Sequence, residues 1–259
     1  MTRIGPRVLN YLIAIVGLIP GLLHMSAADS ATPSASEILT QMERAHNRRD
    51  LLLKQYTSTR QYTMHNLRFG KQADVTVSVT HREVEGELYT VLKRSGSDKL
   101  AGIIDKLLAF ETGASLPPEY ARYQMNSANY RARLLGTEVA AGRSCYVLEL
   151  APKIKSRYLI TGKAWIDSGS YGVVRIEGRF AGSISILVGA PHIIEEYIEV
   201  QGFWLPGHVR SVASTFLLGL TELDIHYSDY QLDEASASPG ESSPKAEISY
   251  TPPQSGRSQ

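Results

Sequence analysis

Apolar positions along this chain change period several times, and each change marks an element. Between Ser34 and Leu53 the residues Ile38, Met42, Ala45, Leu52 and Leu53 recur at helical spacing, while Thr40, Gln41, Glu43, Arg44, Asn47, Arg48 and Asp50 fill the other side. Ser34 with Glu37 three residues on reads as a capping box. An amphipathic helix is therefore predicted from Ser34 to about Leu53, with a sheet as its natural partner. The period then drops to two. Residues 56–64 are rich in Thr and Tyr, and residues 74–80 alternate strictly, with Val75, Val77 and Val79 on one face and Thr76 and Ser78 on the other. Gly70-Lys71 suits a hairpin between them. A third strand over 87–94 ends at Ser95-Gly96, after which Ser97 or Asp98 can cap a second helix. Its stripe is Leu100, Ile103, Ile104, Leu107 and Leu108, and it is expected to end before Gly113, with Pro117-Pro118 beyond.

The remainder reads as short strands over 130–137, 145–150, 159–167, 173–179, 183–188, 194–200, 208–215 and 220–230, separated by glycine turns at 141–143, 167–169 and 202–207. Parallel strands would need a helix at every crossover, so the fold class is antiparallel α+β. Alternation places Val75, Val77, Val79, Tyr146, Leu148, Leu150, Ala164, Ile166, Val174, Ile176, Leu223, Ile225 and Tyr227 on one apolar face. Two helices are few to cover it. A curved sheet around them either packs solid or leaves an apolar cavity, and the sequence leaves both open. The second helix carries a stripe wider than a helix resting on a surface requires. Ile103 and Leu107 are therefore expected to line a ligand cavity, facing Val77, Leu148, Ile166, Ile176 and Ile225.

Both ends differ from this pattern. Arg3 and Arg7 precede an apolar run over 8–23 that Asn10, Pro20 and Gly21 interrupt, and Ser26, Ala27 and Ala28 follow. The run is shorter than the ~20 residues a spanning helix needs. A cleaved secretory signal over 1–28 is expected, with Ser30 as the alternative cleavage point, leaving one domain over 34–232. Residues 233–259 are mostly Ser, Pro, Glu and Gly and predict a disordered tail. Within it Ser242-Ser243-Pro244-Lys245 spells S-x-x-K, but nothing there orients a nucleophile.

Charge narrows the partners. Loss of residues 1–28 removes two of the 27 basic residues and none of the 26 acids, turning a formal charge of +1 into −1. With no basic stripe, no nucleic-acid partner is expected. Cys145 is the only cysteine, which rules out an internal disulfide and a lipid-modified N-terminal cysteine; it reads as a small buried hydrophobe. The histidines His24, His46, His65, His81, His192, His208 and His226 include no i, i+4 pair, so no metal and no cofactor are expected. No G-x-S-x-G elbow, phosphate loop or dinucleotide loop occurs. Adjacent Glu195 and Glu196 point to opposite faces of a strand, leaving only Glu196 to pair across strands. Asp224 and His226 share a face opposite Leu223, Ile225 and Tyr227, a weak acid and base pair on a solvent side. No catalytic constellation results, and the chain is expected not to be an enzyme.

Five segments carry a resemblance: Asn129-Tyr130-Arg131 through Leu135-Gly136; Gly142-Arg143 through Ala151-Pro152-Lys153; Gly162-Lys163-Ala164-Trp165-Ile166-Asp167; Gly202-Phe203-Trp204-Leu205-Pro206; and Tyr227-Ser228-Asp229-Tyr230. The chain resembles the outer-membrane lipoprotein-sorting protein family, periplasmic lipoprotein carriers and their relatives, from its first helix to Tyr230. The resemblance implies a strongly curved, incomplete β-barrel of about 10–11 strands with helices covering its concave face. It implies a periplasmic, non-enzymatic carrier or binding protein for lipid or the acyl chains of lipoproteins, monomeric, without cofactor, with transient membrane contact and an envelope protein as a further partner. The alternatives are an envelope sensor or protein-interaction module with a solid core, and a hydrolase. Carriers of the family have an arginine that helps hold the closed state, and no arginine here is assigned to it. Sensors carry an extra C-terminal domain where this chain is expected to have its tail, which disfavours that reading.

Overall fold

The computed structural model describes residues 32–115, 121–182, 191–215 and 219–233. The expected signal, the 183–188 strand and the tail beyond Asp233 lie outside them. Ser34 and Glu37 cap the first helix reciprocally: the Glu37 N–H donates to Ser34 Oγ at 3.2 Å and the Ser34 N–H to Glu37 Oε2 at 2.7 Å. Helix α1 (Ala35–Leu52) follows, then β1 (Gln55–Asn66), β2 (Lys71–Arg82) and β3 (Gly86–Gly96). Helix α2 (Asp98–Ala114) precedes β4 (Tyr130–Ala140), β5 (Arg143–Pro152), β6 (Ile160–Asp167), β7 (Val173–Phe180), β8 (His192–Val200), β9 (Phe203–Thr215) and β10 (Gly219–Leu232).

Helix α2 runs through Gly113 rather than stopping before it. A helical glycine costs only about 1 kcal/mol against alanine, and the last turn is anchored: Ser115 Oγ donates to Thr112 O and accepts from the Glu87 N–H of β3, both at 2.8 Å.

The ten strands form one antiparallel sheet in the order β3-β2-β1-β10-β9-β8-β7-β6-β5-β4. The sheet is open, with β3 and β4 as its edges, and gives the α+β incomplete barrel expected from the sequence. Its first and last strands, β1 and β10, pair in the interior. Two clusters fill the helix side. Ile104 and Leu108 of α2 pack on Tyr62, Val75, Val77, Val79 and Ile225. Ile38, Leu39 and Met42 of α1 pack on Leu148, Leu150, Ala164, Ile166 and Ile176.

One inward assignment fails. Val174 belongs to a small cluster on the opposite face with Cys145, Val147 and Trp165. The β6–β7 register jumps from Trp165↔Arg175 to Ile166↔Val173, which makes Val174 the extra residue of a β-bulge. Alternation breaks there, so Val173 and Ile176 face α1 while Val174 does not. Cys145 is fully buried, as expected, and burial pushes its thiol up, away from thiolate chemistry.

The quoted motifs have structural uses. Ala141-Gly142 and Gln201-Gly202 have positive φ and make tight hairpin turns. Trp165 Nε1 donates to Glu138 at 2.8 Å, and Arg175 lies 5.2 Å over its ring. Asp167 is buried because its Oδ2 accepts from the Ser170 N–H and Oγ, closing the β6–β7 turn. Gly162 faces Gly178 across β6–β7, and a Cβ on Gly162 would lie 2.0 Å from Glu177 O. Gly162→Ala must therefore splay two paired strands. It is expected to lower stability by about 2–3 kcal/mol, read as a fall in the urea midpoint with an unchanged slope.

Candidate functional site

The residues expected to line a cavity all lie on the helix side, but in two groups. Val77 and Ile225 are buried beneath α2, with Ile103 and Leu107 half-buried at its flank. Leu148, Ile166 and Ile176 are buried beneath α1. Ile160 touches both groups, and Phe180, Tyr227 and Tyr197 stay part-exposed beside them. The helix stripe is thus split: Leu100, Ala101, Ile104 and Leu108 point at the sheet, and Ile103 and Leu107 lie beside that axis. Among the described residues, a gap of about 10 Å³ lies at α2 beside Arg60, Glu87 and Glu111. A larger groove of about 450 Å³ is lined by Lys71, Gln72, Gly96, Ser97, Asp98 and Lys99 at the start of α2, and is polar and open.

The interior also holds a charge cluster. Arg60 shares the inner register of β1 with Tyr56, Ser58, Tyr62 and Met64 and is only 5% exposed. Its guanidinium pairs with Glu87 of β3 and with Glu111 of α2, at 3.3 Å in the second case, and lies 5.0 Å over the Tyr227 ring. Tyr62 Oη donates to Glu111 at 2.7 Å and Tyr56 Oη to Glu87 at 3.1 Å. Two half-buried carboxylates thus share one buried cation. Burial pushes Glu87 up, but the Arg60 charge and hydrogen bond more than offset it, and the net shift is downward. For Glu111 burial prevails over Arg60 and Tyr62, and its pKa is raised. The cluster is the polar fastening between α2 and the sheet.

No family model and no curated protein sequence matches this chain. Similar solved structures include a DUF1329 family protein from Desulfovibrio piger, 13% identical over 78% of this chain and 95% of that one, with a TM-score of 0.42. A LolA superfamily protein from Nitrosomonas europaea is 13% identical over 78% and 95%, with a TM-score of 0.37. An outer membrane lipoprotein-sorting protein domain from Vibrio parahaemolyticus is 12% identical over 77% and 94%, with a TM-score of 0.41. The Vibrio domain bears the name of the family the sequence resembles.

Glu195 is a further acid on the inner face. The sequence points to Glu196 as the member of its pair able to find a partner, and Glu196 does meet Arg175 and His208 on the outer face. Glu195 faces inward, half-buried, accepting a hydrogen bond from Tyr197 Oη at 3.0 Å. Burial raises its pKa, and the Tyr197 bond offsets only part of the rise. An acid whose folded pKa lies above its unfolded value binds its proton more tightly when folded. Stability therefore falls as pH rises from the unfolded to the folded value, and the cost persists at neutral pH. Glu195→Gln is expected to raise the melting temperature at pH 7, with the difference from wild type vanishing in acid. A variant no more stable than wild type at pH 7 would show that the ionised carboxylate is compensated.

Proposed function

We propose that this chain is a periplasmic, non-enzymatic carrier or binding protein for lipid or the acyl chains of lipoproteins, and that the ligand takes the concave face when α2 moves off it. The observation that carries this reading is the division of the apolar face into two halves, each under its own helix. Ile160 packs against both halves, while the part-exposed Ile103, Leu107, Phe180 and Tyr227 flank the first and Tyr197 the second. The 10 Å³ gap beside Arg60, Glu87 and Glu111 does not hold an acyl chain, so a chain lying under α2 there requires the helix to yield. The export half of the proposal rests on the basic-then-apolar pattern of residues 3–28.

The packing of α1 and α2 on the two apolar clusters favours a second reading, a protein-interaction module. Its docking element would be β3, an edge strand with Leu88, Val91 and Leu92 exposed at 47, 40 and 60%. Titration with a fluorescent fatty-acid probe separates the two. Saturable binding is expected in wild type. In Leu107→Asp the half-buried site keeps the new charge partly hydrated, so the fold should lose less than about 2 kcal/mol while probe affinity drops at least tenfold. Absence of binding by wild type, or unchanged affinity in a folded Leu107→Asp, would overturn the carrier reading.

A further inference from the structure

We propose that the outer face of the sheet carries a site for a borderline divalent transition-metal ion, built by His208, Asp224 and His226. The sequence separates these residues, but the register joins them: His226 lies directly opposite His208 on β10 and β9, and Asp224 is two positions before His226 on the same face. The imidazoles stack 4.4 Å apart and nearly parallel, which brings two ring edges side by side. His208 Nε2 lies 2.9 Å from Asp224 Oδ1, and one ligand atom from each of the three residues lies within 4.8 Å of the others. A tetrahedral ion with metal–ligand bonds of about 2.0–2.1 Å wants its donors about 3.4 Å apart, a change within reach of side-chain rotation.

Two imidazoles and a carboxylate are the donor set that suits Zn²⁺, Cu²⁺ or Ni²⁺ rather than Mg²⁺ or Ca²⁺. Glu196 of β8 stands 3.4 Å from His208 Nδ1, placed to orient that ring or to serve as a further ligand. A β-bulge interrupts the β8–β9 register next to Glu196, the kind of irregularity that re-aims side chains. Arg210 Nε, 3.3 Å from Asp224 Oδ1, is the group a bound ion would displace. All three donors stand on paired strands away from α2, so the site is independent of the concave face and of the function proposed for it.

The test is calorimetric titration of untagged full-length protein with ZnCl₂, alongside CuCl₂ titration followed by electron paramagnetic resonance. One equivalent of Zn²⁺ is expected to bind, and bound Cu²⁺ should show coupling to two imidazole nitrogens. Loss of an orienting neighbour alone costs a metal site about 10–100-fold, so His226→Gln and His208→Gln should each weaken binding at least tenfold. His226 is exposed and its replacement leaves the His208–Asp224 bond in place, so His226→Gln carries the test should His208→Gln unfold. No saturable binding by wild type, unchanged affinity in His226→Gln, or a Cu²⁺ signal without paired imidazole coupling would overturn the assignment.

Discussion

Arg60→Ala is expected to cost about 3–5 kcal/mol, the range for removing one partner of a buried ion pair. That is a large share of the 5–15 kcal/mol by which domains are typically stable. The substitution leaves Glu87 and Glu111 beside one another, with the Tyr56 and Tyr62 hydroxyls as their remaining side-chain donors among the described residues. It also removes the charge that holds Glu87 below the usual carboxylate range, so burial alone would then raise both acids. Two raised acids take up protons on folding, so the deficit against wild type should be greatest near neutral pH and shrink as pH falls toward the carboxylate range. Chemical denaturation at several pH values reads this directly. Replacing the whole cluster, as Arg60→Met with Glu87→Gln and Glu111→Gln, should recover most of the loss, because no buried charge is then left alone. If Arg60→Ala proves nearly neutral at pH 7, the cluster does not fasten α2.

Leu148→Ala should cost about 3–5 kcal/mol and Leu107→Ala about 1 kcal/mol, although both lie on the same apolar face. Leu148 is fully buried between α1 and the sheet, where truncation leaves a void bounded by Ile38, Met42 and Ile166. Leu107 is half-buried on the flank of α2, so water can occupy the space its side chain leaves. Urea melts of the two variants measure the contrast. Similar losses would place Leu107 in the packed core and remove it from the proposed ligand border.

Local pattern made the elements legible. The Ser34–Glu37 box and the Val75, Val77, Val79 alternation each involve neighbours in sequence and needed nothing else to be read. The Val174 bulge was not legible, because an inserted residue leaves the apolar pattern intact while reversing which face it means. Arg60 was missed for a related reason. Its even position in β1, in step with Tyr62 and Met64, is the available signal, but only the arrival of Glu87 from β3 and Glu111 from α2 makes an inward arginine tolerable. His208 and His226 are eighteen positions apart in the chain, and a search for helical metal spacing passes over a pair that only cross-strand register brings together. The sequence leaves only Glu196 of its pair able to meet a partner across strands, and what marks Glu195 in the structure is burial.

The pairing of β1 with β10 has a consequence for how the chain acquires its sheet. Strands β1 to β3 are consecutive hairpins, and so are β4 to β10, so each run can zip from local contacts; only the β1–β10 seam joins residues such as Tyr62 and Ile225, far apart in the chain. Closing so long a loop is entropically expensive and slow. A chain threaded N-terminus first through any pore cannot complete this seam until Leu232 has emerged, although α1 can already pack on β5, β6 and β7. With the last strand in the middle of the sheet, the sheet is complete only once the whole of β10 is free to pair.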